Sequence, residues 1–159
     1  MKNKDFALFF RMCCTSLLFP GRPSSPRSSP ACPSGWTKYG NRCFYFYNSQ
    51  MNWASAESDC ISLGANLASI HSSSEHSFLK ALVRSKKGSY QRTWVGGHDE
   101  GVWLWSDGSK FDYTKWGSGE PNNLGGKEHC MEINLKGSAL YINDEPCTTS
   151  SFFICAKKP

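Results

Sequence analysis

Apolar and polar positions change their period along this chain. Trp53, Ala56, Cys60 and Leu63 recur at helical spacing, with Asn52 placed to cap the run and Gly64 to stop it. This predicts a helix from Asn52 to about Leu63. Phe78, Leu79, Leu82 and Val83 form a second stripe behind the capping-box pair Ser72 and Glu75, so a second helix is predicted to end before Gly88. The aromatic run 43–47 suits a pleated, half-buried surface and reads as a strand. After Gly88 no helical period recurs, and 93–96, 102–105, 131–134, 140–142 and 152–156 are the strand candidates. Two helices followed by short strands define an α+β domain with a small antiparallel sheet. The stretch 111–128 is rich in Gly, Asn and Pro, and a loop that long inside a compact domain is usually functional or disordered.

Composition narrows the class. Of 159 residues, 14% are aromatic and 19% charged, which excludes a mainly disordered chain. The longest strictly apolar run, 6–10, is far too short to span a membrane. The net charge is +5, but Lys2, Lys4, Arg11, Arg22 and Arg27 face only Asp5 within residues 1–31. The remainder is therefore nearly neutral, which removes support for nucleic acid as a partner. Residues 1–31 divide into a basic, apolar-cored leader and the Pro/Ser-rich stretch 20–31, expected to be an extended linker. The leader reads as a secretory signal, with a disordered leader or misassigned start as the alternative. Residues 32–159 form the domain.

Eight cysteines in so short a chain point to an oxidising compartment, hence a secreted, extracellular protein. Cys13 and Cys14 fall in the leader. Cys32, Cys43, Cys60, Cys130, Cys147 and Cys155 remain, and spacing alone leaves fifteen pairings open. No Cys-x-x-Cys or His-x-x-x-His pattern supports zinc in their place.

Several motifs occur together in order. Cys32-Pro-x-Gly-Trp36, Trp94-Val-Gly-Gly97, Trp103-Leu-Trp-Ser-Asp-Gly108, Glu120-Pro-Asn122 and the terminal Cys147 and Cys155 resemble a C-type lectin-like domain across 32–158. Single-domain fish lectins and the related type II antifreeze proteins share this layout. The resemblance implies disulfides Cys32–Cys43, Cys60–Cys155 and Cys130–Cys147.

Read from the residues alone, the long loop and the segment after it collect Glu120, Asn122, Glu128, Asn143 and Asp144. Carboxylates and amide oxygens without Cys or His suit a hard cation such as calcium. In the family resembled, these five positions hold the sugar-binding calcium, and the peptide bond before the residue matching Pro121 is cis. The resemblance then implies a mechanism. Neighbouring sugar hydroxyls coordinate calcium, donate to Glu120 or Glu128, and accept from the amides of Asn122 or Asn143. Glu-Pro-Asn goes with mannose-type sugars bearing equatorial 3- and 4-hydroxyls. Ile142 replaces the usual tryptophan, which implies altered packing beneath the site rather than loss of calcium. Asn123 and His129 replace auxiliary-site acids, so a second calcium is not expected. His129 is read as a solvated loop residue. Trp36, Trp53, Trp94, Trp103 and Trp105 are assigned to the core; Trp116 is also placed there, with a sugar-flanking role as the alternative.

The expectation is a secreted, calcium-dependent, mannose-type lectin that recognises microbial glycans in innate defence. A single exposed sugar site binds weakly, so a homo-oligomer is expected. The alternatives are an ice-binding protein and a protein-binding domain of the same fold. No Ser-His-Asp or Cys-His motif is present, and the paired acids are better explained as ligands, so no enzymatic activity is expected.

Overall fold

A computed structural model describes residues 30–134 and 141–159. The leader, its two cysteines and most of the linker lie outside the described residues, as does Leu140 of one strand candidate. The elements run β1 (Thr37–Tyr39), β2 (Arg42–Met51), α1 (Trp53–Ser62), β3 (Asn66–Leu67), α2 (Ser73–Lys87), β4 (Thr93–Asp99), β5 (Trp103–Trp105), β6 (Glu128–Asn134), β7 (Tyr141–Pro146) and β8 (Ser151–Lys157). The fold is α+β, with two helices and three disulfides, Cys32–Cys43, Cys60–Cys155 and Cys130–Cys147.

Both helices begin where their caps dictate. Asn52 Oδ1 accepts from the Ser55 amide at 2.8 Å, and Ser72 Oγ accepts from the Glu75 amide at 3.1 Å. Gly88 closes α2 at φ 74°, a left-handed position where a side chain would be strained. Only half of the expected capping box forms. Glu75 does not reach back to the Ser72 amide; it accepts from the His71 amide at 2.8 Å and pairs with Arg42 at 2.5 Å. Leu63, expected on the buried face of α1, is 38% exposed because the helix ends one residue earlier.

The sheet order is β1-β2-β8-β4-β6-β7, with β3 added to β8 and β5 to β4. The antiparallel expectation needs correction. β4 and β8 pair in parallel, Thr93 with Phe152 and Trp94 with Phe153, so the sheet is mixed. Such a pairing depends on a distant segment and leaves no local trace. β8 is nearly continuous in apolar residues because both its faces are covered. Phe153 and Cys155 join Ala56 and Cys60 of α1, while Ile154 and Ala156 join Leu79, Leu82 and Val83 of α2. Each fully buried aliphatic side chain contributes about 1.5–3 kcal/mol. Gly96 passes so close to β3 that an added Cβ would meet the Leu67 carbonyl oxygen at 2.6 Å. Cys60–Cys155 joins positions 95 residues apart and ties α1 to β8. Chain entropy assigns a loop of that length about 4.7 kcal/mol.

Candidate functional site

The loop between β5 and β6 returns to β7 through backbone donors. Asp144, fully buried on β7, accepts from the Asn122 amide at 3.1 Å and the Asn123 amide at 2.7 Å, one bond to each carboxylate oxygen. Asn123 sits at φ 45°, left-handed, which turns the chain into a single 3₁₀ turn at Leu124–Gly126. Glu128, also buried, accepts from the Leu124 amide at 2.8 Å, and its own amide donates to Asn123 Oδ1 at 3.0 Å. The Glu120–Pro121 bond is cis. Trp116 is half-buried, packs edge-on to Trp103 at 4.8 Å and bridges to Ile142, which is fully buried.

These contacts gather acids. Burial, then the neighbouring Asp144 and Glu128 carboxylates, push Glu120 above the ordinary carboxylate range, with a bond from the Asn122 backbone opposing them. One Glu120 oxygen, Oε2, is sealed from solvent with no hydrogen-bond partner among the described residues. An unpaired buried carboxylate oxygen beside two further acids is costly unless a cation satisfies it. Among the described residues no group of three or more His, Cys, Asp or Glu is placed to hold a metal ion by itself. The chain brings Asn122 to Asp144 through its backbone amide, and Asn143 precedes Asp144 on β7; carboxylates together with side-chain amides are a donor chemistry that fits a hard divalent cation. Residues 121–127 are all exposed, so the site is open surface rather than a cleft.

Two residues that the sequence did not single out stand behind the site. Asn143 lies opposite Glu132 in the β6–β7 register and donates its Nδ2 to Glu132 Oε1 at 3.0 Å. This bond selects the amide flip. It directs Oδ1 away from Glu132 and leaves the second amide hydrogen available for a ligand. Glu132 is fully buried; burial pushes its carboxyl up, against Arg92 and Asn143, which hold it down. Arg92 Nε donates to its two oxygens at 3.0 and 2.8 Å, and the same guanidinium pairs with Glu145. The sequence signal was an acid in a strand whose neighbours, Met131 and Ile133, are core residues. His129 is not in a solvated loop: it is half-buried in β6, with Nδ1 3.5 Å from Asp99.

A Ser-His-Asp array does arise, from the first part of the same loop and the segment before α2. Ser109 Oγ lies 3.1 Å from His71 Nε2, and His71 Nδ1 lies 2.9 Å from Asp112. Asp107 withdraws the nucleophile, however. It accepts from the Ser109 hydroxyl at 2.5 Å, from the Ser109 amide at 2.9 Å and from Ser69 at 2.6 Å. Burial alone would raise the Asp107 carboxyl, but these bonds outweigh it and hold the group below its ordinary range. With its proton and its amide both committed to Asp107, Ser109 latches two loops together.

A mixed sheet carrying two helices, three disulfides and this long loop defines a C-type lectin fold. The Lectin C-type domain model matches residues 49–157, and the chain belongs to that family. It is 44% identical over 155 residues to the galactose-specific lectin nattectin of Thalassophryne nattereri, covering 96% of this chain and 95% of that one. It is 37% identical over 137 residues to a type-2 ice-structuring protein of Hemitripterus americanus, covering 84% and 79%. Among solved structures, a calcium-independent type II antifreeze protein superposes with a TM-score of 0.71 at 36% identity, covering 80% of this chain and 95% of that one. Lectins and antifreeze proteins, not enzymes, are the relatives here.

Proposed function

We propose that this protein is a secreted, calcium-dependent lectin whose domain spans 32–159 behind a cleaved leader. The observation that carries this reading is the sealed, unpartnered Glu120 oxygen beside Asp144 and Glu128. Glu120, Asn122, Glu128, Asn143 and Asp144 would hold the calcium, which when bound supplies a Lewis-acidic centre for sugar hydroxyls. The protein's own groups then select the sugar. Glu120 and Glu128 accept from its hydroxyls, and Asn122 and Asn143 donate to them. Glu132 keeps the Asn143 amide turned the right way. Glu-Pro-Asn supports a mannose-type sugar with equatorial 3- and 4-hydroxyls, borne on microbial surfaces and bound by a homo-oligomer in innate defence.

Two relatives point to other readings of the same scaffold: one is galactose-specific and one structures ice. A glycan array with and without calcium, followed by competitive elution, separates them. Retention on mannan that needs calcium and is released by mannose supports the proposal. Release by galactose but not mannose overturns the specificity. Calcium-independent thermal hysteresis with no glycan bound overturns the lectin reading altogether.

A further inference from the structure

The near-neutral charge of the domain is an average that conceals a segregated one. Between His76 and His98 the chain carries Lys80, Arg84, Lys86, Lys87 and Arg92 and no acid. The acid at the start of α2, Glu75, is buried against Arg42, and Arg92 is taken up by Glu132 and Glu145. The cations of α2 are held in place by aromatic rings. Lys80 Nζ lies 4.6 Å and Arg84 Cζ 5.2 Å from the Tyr90 ring centroid, and an Arg84 nitrogen donates to the Tyr90 hydroxyl at 3.2 Å. Lys87 sits over Phe152 at 4.4 Å and donates to Asn48, while Lys86 is exposed.

Lys80 and Arg84 are an i, i+4 like-charge pair, an arrangement that costs a helix a few tenths of a kcal/mol. Here both are gathered over one ring, beside a cavity of about 470 Å³ lined by Ser77, Ala81, Ser85, Gly88 and Tyr90 as well. The two serine hydroxyls donate to the Ser73 and Leu82 carbonyls, and the charged groups that line the cavity are Lys80 and Arg84. The C-terminal end of the α2 dipole favours the cations and opposes a lone anion. Binding there therefore calls for a polyanion that engages several cations together.

We propose that the α2 face, centred on Lys80, Arg84 and Tyr90, is a second binding site for sulfated polysaccharide, independent of calcium. The chemistry of the pocket selects this class. Both cations lie over the Tyr90 ring, so a nucleobase stacking there would have to displace the very groups that attract it. No large aliphatic side chain lines the cavity, so there is nothing to insert into a bilayer. One short helix offers too few cations to track a nucleic-acid duplex, yet enough to meet consecutive sulfates on a flexible chain. The site shares no residue with the acidic loop.

The test is salt-gradient elution of the full chain from immobilised dextran sulfate, in chelator, with unsulfated dextran as the control matrix. Each ion contact releases a counterion, so three contacts imply about a thirty-fold loss of affinity between about 50 and 200 mM salt. Lys80→Gln/Arg84→Gln keeps good helix formers and, checked by near-ultraviolet circular dichroism, should bind at least about tenfold more weakly. Lys110→Gln/Lys158→Gln removes the same charge elsewhere and should elute with the unmodified protein. Identical elution of the two double variants would overturn the site and assign retention to net charge or to the basic leader. Retention on unsulfated dextran, or displacement by duplex DNA or anionic vesicles at lower charge concentration, would overturn the ligand class. Because chelator is present throughout, failure here leaves the loop site untouched, and failure of the loop site leaves this one standing.

Discussion

His76 should make the domain sensitive to mild acid. It is fully buried on α2; Nε2 has no partner among the described residues, and Nδ1 lies 3.4 Å from the Tyr113 hydroxyl at the start of the long loop. Burial, then Lys115 and Lys80, lower its pKa from 6.5 to about 4. The sign follows from which state takes up the proton. As pH falls through 6.5 the unfolded chain protonates first, so stability is lost from there downward and levels off below about 4. Between pH 7 and pH 5 these values give a loss of about 2 kcal/mol, rising to about 3 kcal/mol at the lower limit. The assay is urea denaturation, disulfides intact, of the unmodified protein and His76→Leu at both pH values. The packing offset of the variant cancels when only the pH slopes are compared. The variant should lose about 2 kcal/mol less than the unmodified protein over that interval. Equal slopes would show that His76 is not held neutral, and the reasoning would fail.

Two further perturbations probe the site and its support. Arg92→Ala leaves Glu132 buried without its charge partner and should destabilise the domain by about 3–5 kcal/mol, read by denaturant midpoint; a midpoint within error of the unmodified protein would refute the pairing. Glu120→Gln removes one of three crowded acids, so in chelator its melting temperature should equal or exceed that of the unmodified protein. Calcium at a hundredfold excess over Kd should then stabilise the unmodified protein by about 2.7 kcal/mol, read as a higher melting temperature, and leave the melting temperature of the variant flat.

What was legible in the sequence was what local chemistry writes. Asn52, Ser72 and Gly88 marked the helix ends, because caps act on the nearest backbone groups. The apolar run 152–156 also read as a strand. What escaped was what distant segments decide. The strand Asn66–Leu67 exists only because β8 pairs with it, and the parallel register of β4 on β8 has no local signature. Buried polar residues escaped for a related reason. Glu57 was invisible to a search for apolar periodicity, yet it takes hydrogen bonds from Asn66, the Leu67 amide and Ser106 inside the fold. His76 lies on the same helix as the predicted stripe and is as buried as Leu79.

Glu132 shows why the candidate site was only half readable. The loop acids carry a recognisable spacing, but the residue that orients Asn143 is fixed by sheet register, twelve positions after Glu120 in the chain and directly across from Asn143 in space. The structure also explains a difference in treatment among the acids. Glu132 and Glu145 share the one positive charge of Arg92, whereas Asp144 and Glu128 are held by backbone amides and Glu120 Oε2 by nothing among the described residues. Amide donors orient a carboxylate without cancelling its charge. Arg92 is thus spent on the support of the site, leaving negative charge at its surface. That division of labour suits the proposed calcium: a cation from within the chain would cancel the carboxylate charge, whereas amides leave it in place and each oxygen keeps a second lone pair.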